Sequence, residues 1–217
     1  MTEPTIEELI RARPSSVDTE RLAFAGQRGD RSRHLDRPAL EAGIASLRAP
    51  LDDGAVALMV ARGPAGERLL PDQALLTVEG GMPGDRWAEQ TEYGPDYQLA
   101  TARADFARLI ANGQPLELHG DNLLLDLDLS SENLPTGTLL RAGQALLQVT
   151  PIPHNGCKKW VQRFGLCPMQ LNLHPAYRGL HLRGIYLRVI EEGRVCVGDR
   201  VRIVSRGAPQ PPPPVGG

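Results

Sequence analysis

Short runs of apolar residues, broken at close intervals by glycine, proline and aspartate, dominate the pattern of this chain. The turns between these runs contain pairs such as Asp53-Gly54, Glu192-Gly193 and Gly198-Asp199. Many short strands separated by such turns predict a mostly β, barrel-like or strongly curved sheet. The strand-like runs are 55–60, 74–78, 116–119, 139–140, 145–149, 184–190, 195–197 and 201–204.

Three other segments show helical spacing, so several short α-helices are expected beside the sheet. Thr5 followed by Glu8 has the residue types of a capping box at a helix start. Residues 37–47 place apolar side chains on one helical face, and residues 101–110 do the same. We expect three regions: an N-terminal helical or irregular segment (1–50) that packs on the domain, a barrel domain (51–206), and a proline-rich, disordered tail (207–217).

The composition narrows the class of partner. Lys and Arg number 24 and Asp and Glu number 26, so no global charge favours nucleic acid or an anionic membrane surface. Aromatic residues make up 4%, which leaves few platforms for stacked bases. No apolar run approaches the ~20 residues that span a bilayer. Three cysteines and an N-terminus without a secretory pattern predict a cytoplasmic protein.

Residues 154–160 carry the most distinctive chemistry, because Cys157 follows a glycine and lies between His154 and two lysines. Cationic neighbours stabilise the thiolate, which is the nucleophilic form of cysteine. The apolar run 145–149 ends before Pro151, so the thiol is expected in a turn beyond a strand. The alternative is an inert, buried cysteine. We expect Cys157 to be the most reactive of the three thiols.

Several motifs, taken in chain order, resemble the MOSC family, named after the C-terminal domain of molybdenum cofactor sulfurases. No single motif is specific to the family. Together they indicate it, because they occur in the family's order and a cysteine follows the strand-like run at 145–149. The resemblance covers about residues 50–205 and implies a β-barrel-like MOSC fold with several short helices. The matching pieces are 81–86, 120–123, 136–141, 147–150, 154–157, 163–165 and 184–189, followed by Gly193 and Gly198-Asp199.

The resemblance implies that the protein binds or carries sulfur, or binds molybdenum cofactor (molybdopterin), through the cysteine that corresponds to Cys157. Cys157 is then the nucleophile or a ligand to the cofactor's metal, and His154 is its proton acceptor. For Asp85 the alternative is an ion pair that pins its loop, and for Asn122 it is a structural turn. The candidate cofactor-binding residues are Asp85, Arg86, Asn122, Asn155, Lys158 and Arg163.

The chain departs from the larger family members because it has no room for an aminotransferase-like domain, so pyridoxal phosphate is not expected. A separate cysteine desulfurase is the expected sulfur donor. The residues leave open whether the protein acts as a sulfurtransferase, is a non-catalytic module that binds a small-molecule or cofactor ligand, or is an interaction protein that uses its tail. A zinc site is a further alternative, with His154, Cys157, Cys167 and His174 as ligand types.

The loop at 84–86 and the loop that carries Cys157 each follow a predicted strand. Loops of this kind can gather at one rim of a small barrel. We therefore expect both loops to face one pocket. Arg86, Lys158 and Arg163 would then surround the thiol and favour an anionic ligand.

Overall fold

Seven strands close into a barrel in the computed structural model, which describes residues 4–14, 17–90 and 92–208. The order around the barrel is β1-β11-β7-β8-β9-β5-β6, and β4 with β10, and β2 with β3, form two further two-stranded ribbons. The strands are β1 (Asp53–Met59), β2 (Ala61–Arg62), β3 (Arg68–Leu69), β4 (Gln73–Leu76), β5 (Leu99–Arg103), β6 (Leu123–Asp126), β7 (Leu139–Ala142), β8 (Ala145–Val149), β9 (Ile185–Glu191), β10 (Gly193–Cys196) and β11 (Arg200–Ser205).

Neighbouring barrel strands pair antiparallel, except that β5 pairs parallel with β6. The register of β8 on β9 places Val149 opposite Leu187, and the register of β7 on β8 places Leu140 opposite Leu147. These side chains belong to one buried apolar cluster that fills the barrel. Closure therefore buries the apolar side chains of short strands and leaves no free barrel edge.

Six α-helices in the described residues surround one side of this barrel. Thr5 and Glu8 form the predicted capping box at the start of α1, and Asp36 caps α2 through the Ala39 amide. The helices are α1 (Ile6–Arg11), α2 (Arg37–Ser46), α3 (Ala104–Ala111), α4 (Lys158–Phe164), α5 (Leu166–Leu173) and α6 (Pro175–Arg178).

A second apolar core lies between these helices and brings residues of the N-terminal segment together with α3, α4 and α5. Leu9, Leu22 and Leu40 pack there with Phe106 of α3 and Trp160 of α4. The apolar side chains before residue 50 thus lose their contact with water against the helices that follow the barrel strands. This helical core and the barrel core meet around the chain segments that form the candidate site.

The predicted fold class, a β-barrel with several short helices, is confirmed, but several local predictions are wrong. The Asp53-Gly54 pair, predicted as part of a turn, opens strand β1 and pairs with β11. Residues 101–103 belong to buried strand β5, and helix α3 begins only at Ala104. The pairing of β5 with β6 and β9 overrides the helical spacing. Residues 116–119, predicted as a strand, form a 3₁₀ turn after Pro115, ended by Gly120 in a left-handed conformation.

Helices α4, α5 and α6 were not predicted. Most side chains of α4 and α5 are buried, which removes the amphipathic pattern. Helix α6 has no buried residue and is only four residues long, too short to show helical spacing. Of the tail predicted to be disordered, residues 209–217 lie outside the described residues, whereas the Gly207 amide donates to Thr138 Oγ1 at 3.0 Å. No helix in the described part of the chain is long and apolar enough to cross a membrane.

Candidate functional site

A cavity of about 390 Å³ opens where the end of the barrel meets the helices, and we call it the arginine cavity. Five arginines and one lysine line it together with the thiol of Cys157. Its walls come from chain segments that lie far apart in the sequence. The lining residues are Arg62, Arg68, Arg86, Trp87, Gln90, Tyr93, Tyr97, His119, Gly120, Pro153, His154, Asn155, Cys157, Lys159, Trp160, Arg163, Arg183 and Tyr186.

Cys157 is an exposed free thiol directly before helix α4. The glycine before it allows the loop to lie close to Met169, because a Cβ at Gly156 would come within 2.5 Å of the Met169 Sδ atom. This contact holds the loop against α5 while the thiol faces the cavity. Lys159, in the first turn of α4, brings a cation into the same lining.

Asp121 is fully buried and is the anionic centre behind the cavity wall. Arg183 Nη1 donates to both carboxylate oxygens of Asp121, at 2.7 and 2.6 Å. His154 Nε2 lies 3.6 Å from Asp121 Oδ1, and His119 Nδ1 lies 3.8 Å from Asp121 Oδ2. The guanidinium also lies over the Trp160 ring, 5.2 Å from its centroid. Asp121 therefore orients Arg183 and faces two histidines of the lining.

Burial controls the protonation of His119, His154 and Asp121. It lowers the pKa of His119 from 6.5 to about 3, and the nearby Arg183 charge adds to that effect. Burial and Arg183 also lower the pKa of His154 well below 6.5. Burial raises the pKa of the Asp121 carboxyl, which Arg183 opposes. Both imidazoles are consequently neutral at pH 7, so the positive charge of the wall comes from the arginines.

Asp85 and Asn122 lie behind the lining rather than in it. The Asp85 carboxylate accepts bidentate hydrogen bonds from the Arg62 guanidinium, each 2.8 Å long, and one hydrogen bond from Asn122 Nδ2 at 2.7 Å. Burial alone would raise the pKa of Asp85, but the paired Arg62 lowers it overall. Asn122 also accepts the Ala100 amide and donates to the Val60 carbonyl. This network fixes Arg62 at the cavity and ties the 84–86 loop to β2.

Four cations of the lining form no salt bridge within the described residues: Arg68, Arg86, Lys159 and Arg163. Arg163 instead donates to the carbonyls of Gln27 and Leu118, at 3.0 and 2.9 Å. Burial lowers the pKa of Arg163 to about 10, and Arg68 adds to this. Burial also lowers the pKa of Lys159, with a contribution from Arg86. The cavity therefore gathers positive charge that forms no ion pair with any carboxylate among the described residues.

Buried side-chain nitrogen atoms without a hydrogen-bond partner concentrate at the same cavity. Among the described residues, eight buried side-chain polar atoms have no partner, and seven of them belong to lining residues. Five of the seven are arginine or tryptophan N–H donors, whereas Nδ1 of His119 and of His154 carries the lone pair of a neutral ring. Unpaired buried donors are costly, so the concentration of these five in one place marks a surface that suits a ligand rich in acceptor atoms. The seven atoms are Arg68 Nε, Arg86 Nε, Trp87 Nε1, His119 Nδ1, His154 Nδ1, Trp160 Nε1 and Arg183 Nε.

The 84–86 loop and the Cys157 loop thus face one cavity, as predicted. Of the residues proposed from the sequence, those in the lining are Arg86, His154, Asn155, Cys157 and Arg163. Lys158 is not in the lining, and its charge acts on Glu8 of α1, whereas the neighbouring Lys159 faces the cavity.

Sequence reasoning missed Arg62, Arg68, Arg183 and the buried Asp121 as parts of the site. Asp121 lies within the 120–123 motif, and Arg183 comes directly before the 184–189 motif. Arg62 and Arg68 lie outside the quoted motifs, and only the β2–β3 ribbon brings them to the cavity.

The alternative zinc site is not supported. Cys167 is buried in α5, and burial raises the pKa of its thiol. Within the described ranges, no group of three or more His, Cys, Asp or Glu side chains is placed to hold a metal ion.

The fold and the site define a β-barrel protein with a free cysteine at an arginine-lined cavity. A family model for the MOSC domain matches residues 82–202, more than half of the chain, so the protein belongs to the MOSC domain family. The resemblance seen in the sequence is thereby confirmed.

The related proteins share sequence or fold with this chain, and their names state no activity. The uncharacterized protein YflK of Bacillus subtilis (strain 168) is 35% identical over 139 residues, which cover 62% of this chain and 60% of YflK. The crystal structure of the YuaD protein from Bacillus subtilis has a TM-score of 0.50 at 17% identity, and covers 70% of this chain and 95% of that one. The structure of YiiM from Geobacillus stearothermophilus has a TM-score of 0.50 at 18% identity, covering 71% and 76%.

Proposed function

We propose that this protein binds an anionic, sulfur-bearing ligand of the molybdenum cofactor type in the arginine cavity, and that Cys157 carries or transfers sulfur there. One observation supports this most: unpaired cations and unpaired buried donors converge on the cavity that contains the thiol. A ligand with several negatively charged acceptor atoms would satisfy them together, and charge-assisted hydrogen bonds are the strong ones.

The residues present fit such a cofactor. Arg68, Arg86 and Arg163 would hold its phosphate, and the Cys157 thiolate would supply one ligand to its metal. The cofactor brings the remaining metal ligands itself, which suits a site where one thiol is the metal-ligating side chain. When bound, it would supply redox-active molybdenum and sulfur to the site. The protein's own residues would bind and orient it.

Sulfur transfer to Cys157 follows ordinary thiolate chemistry. The thiolate attacks the outer sulfur of a donor persulfide, a new S–S bond forms on Cys157, and the donor leaves as a thiolate. In this proposal the thiol proton leaves to water, because the Cys157 thiol is exposed. His154, expected from the sequence to accept that proton, is poorly suited to the role, since burial lowers its pKa well below 6.5 and its Nδ1 has no hydrogen-bond partner. Lys159 and Arg163 would stabilise the resulting persulfide anion.

The sulfur donor in this proposal is a separate protein, a cysteine desulfurase. A cytoplasmic location suits this role, because Cys157, Cys167 and Cys196 are all free thiols.

Intact-mass analysis tests the sulfur step. The purified protein, incubated with a cysteine desulfurase and cysteine, is expected to gain one sulfur atom that a reducing agent removes. Cys157→Ser should abolish the gain, whereas the matched control Cys196→Ser should retain it. An adduct that persists in Cys157→Ser, or no adduct on the wild-type protein, would refute a persulfide on Cys157.

A binding module that uses Cys157 only as a metal ligand is the second candidate. The unpaired donors favour it, since they require an anion but no turnover. Molybdenum that copurifies with the wild-type protein and is lost in Cys157→Ser, without any persulfide adduct, would support this candidate over sulfur transfer.

A further inference from the structure

A second and larger cavity, of about 700 Å³, lies beside the arginine cavity. We call it the neutral cavity because its only charged lining residues, Glu132 and Arg178, have opposite signs and are exposed. Its buried wall includes the apolar side chains of Leu134, Val149 and Ile185. Cavities of roughly 300–1,000 Å³ with apolar walls and a few polar groups are the usual binding sites of organic molecules.

The two cavities share a wall. Pro153, His154 and Asn155 line both. On the strand side, Ile185 faces the neutral cavity and Tyr186 faces the arginine cavity, as alternation along β9 requires. The His154 ring packs on Tyr186, with centroids 4.4 Å apart, and so fills the wall between the two cavities.

Three polar side chains in the neutral cavity present both donors and acceptors. Asn172 Oδ1 accepts the Arg183 amide at 2.9 Å, which leaves its NH₂ group as a donor. His181 Nδ1 donates to the Leu129 carbonyl at 2.9 Å, which leaves Nε2 as an acceptor in the neutral ring. Thr150 Oγ1 donates to the Asp96 carbonyl and keeps its lone pairs. Such a set matches an uncharged group that both donates and accepts, such as an amide.

The backbone at His181 is a second, independent observation. Its φ of +47° is in the left-handed region, which non-glycine residues adopt rarely and at a cost. The Gly184 amide donates to the His181 carbonyl at 2.7 Å and holds this turn closed. Strained residues of this kind cluster at ligand sites, where the surrounding structure maintains them. Here the turn sets the His181 side chain in the cavity wall.

We propose that the neutral cavity is a separate binding site for an uncharged ring compound that carries an amide-like group. The apolar wall takes the ring, and Asn172 and His181 take the polar edge. The proposal is independent of the function proposed for Cys157, because the anionic ligand and this compound occupy different cavities.

Fluorescence titration with 2-naphthamide tests the proposal on the full chain. Saturable binding is expected, and Ile152→Trp, which would fill the cavity from its half-buried lining position, should weaken it by about tenfold or more. Leu173→Trp, from α5, provides a second variant with the same expectation. Val204→Trp is the matched control, because Val204 is 55% exposed and lines neither cavity.

Arg86→Ala and pyrophosphate separate this site from the arginine cavity. Arg86→Ala should leave 2-naphthamide binding unchanged, and Ile152→Trp should leave pyrophosphate binding unchanged. The proposal is overturned if 2-naphthamide does not bind saturably, if both tryptophan variants fold and bind it like the wild type, or if Arg86→Ala abolishes its binding. Failure of pyrophosphate binding alone would count against the proposed function and not against this site.

Discussion

Asp121 organises the candidate site at the scale of single residues. Its carboxylate is the buried counter-charge of Arg183, and the two histidines on either side of it are neutral. Asp85 does the same for Arg62. Two arginines are therefore fixed by buried carboxylates, while Arg68, Arg86 and Arg163 keep their charge available to a ligand. Arg62 and Arg183 are thus held in place before an anion binds, so binding does not have to order these two side chains first.

Arg86→Ala is expected to weaken the binding of pyrophosphate by about tenfold or more, since one charge-assisted contact contributes roughly 1.5–3 kcal/mol. The same change should slow alkylation of Cys157, because a cation that favours the thiolate is removed. Titration calorimetry and the rate of iodoacetamide labelling measure the two effects. Arg202→Ala, at an exposed arginine on β11, is the control and should change neither. Unchanged affinity in Arg86→Ala would contradict an anion site at this cavity.

Cys157 is expected to react faster with iodoacetamide at neutral pH than either other cysteine. It is exposed and faces a cationic lining, whereas Cys167 is buried with a raised thiol pKa and Cys196 is half-buried in β10. Peptide mapping over a time course gives the three rates separately. Faster labelling of Cys196 than of Cys157 would show that exposure and cationic surroundings do not govern reactivity here.

At the scale of elements, the N-terminal strap (residues 17–34) positions one of these cations. The Gln27 carbonyl accepts from Arg163 Nε, and the Phe24 ring lies 5.5 Å from the guanidinium carbon. The Gly29 amide donates to Gln162 Oε1 at 2.9 Å. The strap therefore holds α4 from the side opposite the barrel and fixes the direction in which Arg163 enters the cavity.

Gly29→Ala is expected to lift the strap from α4. A Cβ at this position would come within 2.5 Å of the Arg163 Cα atom, and backbone atoms have no easy escape. Overpacking of this kind costs about 1–3 kcal/mol of unfolding free energy, and pyrophosphate affinity should fall because Arg163 loses its support. Denaturant unfolding and titration calorimetry measure both. The control is Gly94→Ala, since a Cβ there meets nothing within 4 Å; equal behaviour of the two variants would contradict the packing argument.

Elements with a local signal were predictable from the sequence, and those fixed by distant pairing were not. The Thr5–Glu8 capping box and strands β7 to β9 follow from neighbouring residues alone. Strand β5 differs, because its parallel partner β6 lies about twenty residues further along the chain and its spacing also suits a helix. Helices α4 and α5 have buried side chains on most faces, which removes the amphipathic signal.

For the whole molecule, the order of motifs predicted the barrel and the shared cavity. The reason given for the shared cavity holds only for the Cys157 loop, which follows barrel strand β8. The 84–86 loop follows β4, which pairs with β10 outside the barrel, and Asp85 ties this loop to Arg62. The counter-charges were not predictable in the same way. The contact between Asp121 and Arg183 spans 62 residues, and nothing local in either segment indicates the other. The same holds for Arg62 and Asp85, which lie 23 residues apart and meet through hydrogen bonds from the Arg62 backbone and side chain to the Asp85 carboxylate.

Acid should destabilise the whole fold because buried histidines are neutral in it. Burial lowers the pKa of His34, His119, His154 and His181, so below the ordinary value of 6.5 the unfolded chain binds protons that the folded chain does not. Stability is thus fully present above pH 6.5 and falls with pH. For His119 alone the loss is roughly 1.4 kcal/mol per pH unit, down to its folded pKa of about 3. The raised pKa of Asp121 opposes this loss only in part.

Urea unfolding at pH 7.5, 6.5, 5.5 and 4.5 would measure this dependence. His119→Gln should flatten the fall in unfolding free energy, because glutamine can still donate to the Ala107 carbonyl that His119 Nε2 contacts at 3.1 Å but takes up no proton. An unfolding free energy that stays constant from pH 7.5 to 4.5 would mean that the imidazoles around Asp121 are protonated in the folded protein. The wall of the arginine cavity would then carry more positive charge than its arginines and Lys159 supply.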